Sequence, residues 1–252
     1  MPDGPWFVYG KKETDWLQAR CKTLGAAIEA IGPLQRGVTP DLYRALVNAI
    51  VGQQISSKAQ ATIWARMNER FPITPEGIGA LSEENLQACG ISFRKASYIM
   101  EITAAVLDGS LDLPALRQMP DEAVCARLSQ LKGIGVWTAE MLMTFSMQRP
   151  DVMSYKDLAI VRGLRMLYRH RTITPALFDR YKRRYAPHAS VASLYLWAIA
   201  GGALPHLSDP VPKKAAPKKI APKATAAKKA GASKKAETTK RRKAKEQDAQ
   251  EQ

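Results

Sequence analysis

Cysteine and histidine are both scarce in this sequence. The three cysteines among 252 residues, Cys21, Cys89 and Cys125, lie far apart. They form neither a disulfide framework nor a metal-ligand spacing. A reducing compartment fits this usage, zinc and iron–sulfur sites are disfavoured, and no cofactor is expected. The three histidines, His170, His188 and His206, lie outside the motifs described below. A long apolar run is also lacking. The best stretch, Val191 to Leu204, is shorter than the roughly 18 residues that span a bilayer, and it holds Gly201 and Gly202. The opening MPDGPWFVYGKKETDW has neither the basic nor the apolar region of a secretory signal. No membrane partner is therefore expected. Strand-type alternation is scarce and no internal repeat is visible.

Positive charge, by contrast, is abundant and uneven. The formal net charge is +15. Residues 211–252 hold 14 Lys/Arg against 4 Asp/Glu and no aromatic residue, while the first 210 residues hold 24 against 19. The split predicts a globular body over 1–210, large enough for a real core, and a disordered Lys/Ala/Pro-rich tail over 211–252. A polycationic arm of this kind collects phosphates without reading sequence. It also fits a solubilising tail with no specific partner.

The body reads as all-α, in two helical lobes with a cleft between them. Thr39-Pro40-Asp41 suggests a cap followed by Pro at the first helical position, with Leu42, Leu46 and Ile50 as the inward stripe. Ser57 and Gln60 suggest a capping box, with Ile63 and Met67 inward. Ser82 starts a short helix that Gly90 ends. Ser92 starts another, with Ile99, Thr103, Val106 and Leu107 facing inward and Gly109 closing it. Asp121 caps a helix carrying Val124 and Leu128. Trp64 and Tyr43 are assigned to the core.

The most informative segment runs from Asp121 to Tyr168. It contains Leu131-Lys132-Gly133-Ile134-Gly135 followed by Val136-Trp137-Thr138-Ala139-Glu140-Met141. This reads as a helix–hairpin–helix. Gly133 and Gly135 permit positive φ, Ile134 plugs the space between the helices, and the amides opening the second helix, at Val136, favour an anion. Lys132 adds charge there. Such a motif grips phosphate and reads no bases, although an ordinary αα-hairpin also favours glycine in its turn. After Pro150 comes Asp151-Val152-Met153-Ser154-Tyr155-Lys156-Asp157. Asp157 falls at a helix N-terminus, where a plain N-cap is its commonest role.

A helix–hairpin–helix followed by a Gly/Pro-rich loop and an aspartate resembles one DNA glycosylase superfamily. The resemblance covers about residues 9–205. It lies nearest the alkylated-base branch, the DNA-3-methyladenine glycosylase II family, and no extra N-terminal β-domain is visible. It implies that Asp157 is the catalytic carboxylate, standing against the positive charge that develops on the sugar. It implies that Trp137, Trp197 and Met141 line the base pocket, where a cationic base over an indole gains up to about 2 kcal/mol. Met141 stands where a relative has an aromatic ring. Relatives that cut the backbone carry a lysine where this chain has Trp137, so a monofunctional enzyme without lyase activity is implied. Lys156, where relatives often have Gly or an acidic residue, is assigned to phosphate along with Lys132, Gly133, Gly135 and Val136; a lyase role for it is the competing reading.

The segment LVNAIVGQQISS is implied to face the DNA beside the flipped base. Gln53 and Gln54 are then wedge candidates, Gln54 the better one because a relative has an apolar plug there. The carbonyls of Ser129, Leu131 and Ile134 are, by the same resemblance, candidates to hold a monovalent cation. The expected partner is double-stranded DNA with alkylated bases, bound by a monomer. The expected location is the bacterial cytoplasm at the nucleoid, or the nucleus in a eukaryote. Two rivals stand beside this reading: a non-catalytic helix–hairpin–helix DNA-binding protein with a histone-like tail, and a glycosylase for oxidised or mismatched bases.

Overall fold

Side-chain caps fix where most of the helices begin. The chain opens with α1 (Lys11–Arg20) and α2 (Lys22–Ile31). Asp41 caps α3 (Leu42–Val51) and Ser56 caps α4 (Ser57–Arg70). Thr74, Ser82, Ser92 and Asp112 then cap α5 (Pro75–Gly79), α6 (Glu83–Gln87), α7 (Phe93–Leu107) and α8 (Leu113–Leu116). The hairpin pair is α9 (Asp121–Ser129) and α10 (Val136–Phe145). Asp157 caps α11 (Leu158–Tyr168), Thr174 caps α12 (Pro175–Tyr185), and α13 (Ala189–Ala200) closes the series. The computed structural model describes residues 5–210. The expected tail and its boundary lie outside the described residues. Within them the only β feature is a single bridge between Trp6 and Gly37, so the fold is all-α.

Four local expectations are corrected. The cap of α3 is Asp41, whose carboxylate accepts from the Arg44 amide at 3.0 Å. Thr39 still belongs to the connection, its N–H donating to the Phe145 carbonyl at 2.8 Å. The cap of α4 is Ser56 rather than Ser57. Gln60 cannot complete a capping box, because its amide reaches the Asn48 carbonyl and side chain, both at 3.1 Å. Asp121 is the first residue of α9, not its cap, and it pairs with Arg149 at 3.2 Å. Leu107, in the last turn of α7, is exposed.

Two separate cores account for the two lobes. The first gathers α3 to α10, from Leu42 to Val152. The second joins the N-terminal segment, α1 and α2 to α11, α12 and α13. The chain therefore starts in the second lobe, builds the first, and returns. α13 is apolar all round, with ten of its residues buried, as a helix at the centre of a lobe must be. Its two buried serines secure the returning loop. Val152 N–H donates to Ser190 Oγ at 2.9 Å, and Ser190 Oγ donates to the Arg149 carbonyl at 2.5 Å. Ser193 Oγ donates to the Ala189 carbonyl at 2.8 Å.

α11 and α13 pack unusually close because of Gly163. A Cβ there would lie 2.3 Å from the Leu196 carbonyl oxygen. This contact sits one residue from Trp197 and under two turns from Asp157.

Candidate active site

The site is built around Asp157, which is only 8% exposed. Its Oδ1 accepts from the Ala159 and Ile160 amides, each at 2.9 Å, and from Trp197 Nε1 at 3.0 Å. Its Oδ2 accepts from Trp137 Nε1 at 3.0 Å. The commonplace cap and the candidate catalytic group are thus one side chain, divided between its two oxygens. Oδ1 is saturated by three donors. Oδ2 has one and keeps acceptor capacity. Trp197 comes from α13 in the same lobe, whereas Trp137 comes from the first turn of α10 in the other, so the carboxylate stands where the lobes meet.

Beside it a cavity of about 280 Å³ opens between α3 and α10. Trp137 and Met141 line it, with Asn48, Gln60, Thr138, Phe145 and Ser146. The expected three-residue pocket is therefore only partly assembled. Trp197 does not line this cavity; its ring lies behind Phe145, centroids 5.3 Å apart and planes tilted by 34°. Arg36 stands over the Phe145 ring at 5.3 Å. Asn48, Gln60 and Phe145 were missed because their places depend on how α3 and α10 face each other, a tertiary relation with no local signature.

The hairpin is formed as expected, with one correction. Gly133 has φ of +83°, but Gly135 is extended, with φ of −88°. Gly135 is the N-cap of α10 and, like Val136, is exposed. Ile134 is buried in the first core. The Leu131 carbonyl accepts from the Ile134 amide at 3.0 Å, which closes the turn. Ser129 Oγ is buried without a hydrogen-bond partner. Lys132 is exposed and paired with Glu101 at 2.8 Å; Lys156 is exposed beside Asp157.

The two glutamines part company. Gln53 donates its side-chain amide to the Gly133 carbonyl at 2.6 Å, which ties it to the hairpin. Gln54 is exposed and has φ of +57°, a region that non-glycine residues rarely adopt. Ile55 beside it is 37% exposed and is a tip residue the sequence reading passed over.

Residues 47–187 match the model of the HhH-GPD superfamily of base excision DNA repair proteins. The chain belongs to that superfamily. DNA-3-methyladenine glycosylase 1 of Schizosaccharomyces pombe is 37% identical over 162 residues, 62% of this chain and 71% of that protein. The crystal structure of a DNA-3-methyladenine glycosidase from Bacillus halodurans superposes with a TM-score of 0.71 at 35% identity, covering 78% of this chain and 93% of that one. A 3-methyladenine DNA glycosylase of S. pombe, solved in complex with abasic DNA, superposes with a TM-score of 0.65 at 30% identity, covering 75% and 96%. The helix–hairpin–helix of this HhH-GPD member is the α9–α10 pair, and Asp157 lies inside the matched segment.

Proposed function

We propose that this protein is a monofunctional DNA glycosylase acting on alkylated purines in duplex DNA. The observation that carries the reading is the Asp157 carboxylate, held by four N–H donors, one of them from Trp137, whose side of α10 lines the adjoining cavity. The relatives named for 3-methyladenine release, and the one solved with abasic DNA, support it.

The chemistry follows from the geometry. The amides opening α10 take a backbone phosphate, with positive helix-end potential and no base reading. The extruded base enters between α3 and α10, against the face of Trp137. An alkylated purine such as 3-methyladenine already carries positive charge. When the C1′–N bond breaks, its electron pair leaves with the base, which departs neutral, and positive charge passes to the sugar. The open side of Asp157 Oδ2 stabilises that charge. A water oxygen then bonds to C1′, and its proton passes to Asp157 or solvent. Trp137 has no amine for a Schiff base, which supports hydrolysis without strand cleavage. The backbone oxygens of Ser129, Leu131 and Ile134 are hard donors of the kind that suits a monovalent cation beside the phosphate.

The enzyme is read as a monomer of the type II kind, working wherever the host keeps its chromosome. The test is base release from methylated duplex DNA, with strand breaks scored before and after alkali. Free 3-methyladenine with breaks only after alkali is expected. Breaks before alkali would overturn the monofunctional reading and turn attention to Lys156. Absence of any released base would leave a DNA-binding protein.

A further inference from the structure

The turn after α3 and the α9–α10 hairpin are far apart in sequence, yet a network of side chains fixes each to the other. The direct tie is Gln53 Nε2 to the Gly133 carbonyl at 2.6 Å. The rest comes from one face of α7. In its first turn, Lys95 Nζ donates to the Val51 carbonyl at 2.9 Å and to the Gln53 carbonyl at 2.7 Å. Three residues on, the Tyr98 ring packs under the hairpin, so that a Cβ at Gly133 would lie 2.6 Å from it. Arg94 Nε fixes that ring by donating to its hydroxyl at 3.0 Å. Three residues further, Glu101 accepts from Lys132 Nζ at 2.8 Å. The i, i+3, i+6 spacing puts Lys95, Tyr98 and Glu101 along one stripe of the helix. Burial pushes the Lys95 ammonium below the usual lysine range, in keeping with a charge taken partly out of water to serve carbonyls.

We propose that α7 is a strut which makes the turn and the hairpin one rigid jaw, and that Gln53 and Lys95 are positioning residues for Gln54. The inference rests on the glycosylase reading above. Unstacking a base step costs a few kcal/mol, and a wedge transmits that force only if its mount does not yield. Gln54 is mounted in a rare backbone conformation, which persists where surrounding contacts over-determine it. The Gln53 and Lys95 bonds supply that over-determination on its N-terminal side. They also join the wedge to the phosphate grip, so a phosphate seated at the hairpin fixes where Gln54 meets the duplex.

The test compares the affinity of the full chain for a duplex holding an abasic-site analogue with its affinity for the same duplex intact, by fluorescence anisotropy. Gln53→Leu and Lys95→Met are each expected to shrink the abasic preference by about tenfold, the scale of a hydrogen bond lost or left unpaired. Lys95→Arg should restore most of it. The decisive arm is a double-mutant cycle. On a Gln54→Ala background, the Gln53→Leu effect should fall to about twofold or less, because Gln53 then has no wedge to position. Equal effects in both backgrounds, or an undiminished abasic preference in the variants, would overturn the strut. Thermal melting by circular dichroism checks folding; should Lys95→Met not fold, the half-buried Gln53 carries the cycle. Should the parent protein neither release base nor prefer abasic DNA, the glycosylase reading fails as well, and that outcome is distinct from a parent that does both while its variants keep the preference.

Discussion

Asp157 and Glu140 are carboxyl groups close enough to influence each other, and they are treated in opposite ways. Asp157 receives four N–H donors, three on Oδ1 and one on Oδ2, and Oδ2 keeps acceptor capacity. Glu140, on α10, has Oε2 sealed from solvent with no hydrogen-bond partner, beside a cavity of about 480 Å³ on the far side of the hairpin helix, lined also by Asp121, Cys125, Asp151 and Lys182. Burial pushes the Glu140 carboxyl up, and the nearby charge of Asp157 adds to it; the Ser154 hydroxyl and Lys182 pull the other way. The difference shows what equips a buried acid for charge chemistry. Donors hold one carboxylate in place and leave it able to meet a developing cation. Desolvation that outweighs the Ser154 hydroxyl and Lys182 favours the neutral form of the other.

Replacing the donor-rich acid should have the largest effect. Asp157→Asn keeps a side-chain oxygen for the Ala159 and Ile160 amides, and Asn is itself a good helix cap, so the fold should survive. Its amide nitrogen would face the Trp137 N–H donor to donor, and the negative charge is gone. Base release from methylated duplex DNA is expected to fall by at least about a hundredfold, the scale of losing a preorganised electrostatic group. Affinity for abasic DNA should persist or rise. Release at the parent rate would make Asp157 a helix cap and nothing more.

The comparison can also be broken without touching either acid. Gly163 leaves room for the Leu196 backbone next to Trp197, since a Cβ there would lie 2.3 Å from the Leu196 carbonyl oxygen. Gly163→Ala must push α11 from α13, at a cost of about 1–3 kcal/mol typical of overpacking. The Trp197 bond to Oδ1 should lengthen with it. A lowered melting temperature together with slower base release is expected. A variant as stable and as active as the parent would mean that the close helix approach does not position the carboxylate.

Much of this was legible from particular residues. Asp157 and the glycine hairpin announced themselves because each is local: a cap, a turn, an exposed helix N-terminus. The roles of Trp137 and Trp197 came from the family resemblance rather than from any local pattern. What sequence could not show is tertiary. The Asn48–Gln60 amide pair, the position of Phe145 in front of Trp197, and the commitment of Gln53 to Gly133 all depend on how distant helices face one another. The shifted caps at Asp41 and Ser56 have the same origin: Thr39 is held by a bond to Phe145 and Gln60 by bonds to Asn48. In both places a neighbouring preferred cap residue took the position. Gly163 carried no signal, because a glycine inside a helix is explained only by the neighbour it admits.

The smallest effect should come from the starved acid, and its sign is the sharpest test of the contrast. Glu140 is raised above the ordinary value of 4.5, so between that value and its folded pKa the folded state holds a proton that the unfolded state has released. Stability therefore declines as pH rises through this window, and below 4.5 the penalty is absent. Glu140→Gln removes the titration while keeping the shape. The variant should melt at a higher temperature than the parent at neutral pH, and the gap should close as pH falls toward 4.5. Urea unfolding at several pH values measures it. A gap independent of pH would mean that Glu140 carries no desolvation penalty. A variant less stable at every pH would mean that an unseen donor, such as bound water in the adjoining cavity, satisfies the carboxylate, and the two acids would then differ in solvent access rather than in hydrogen bonding.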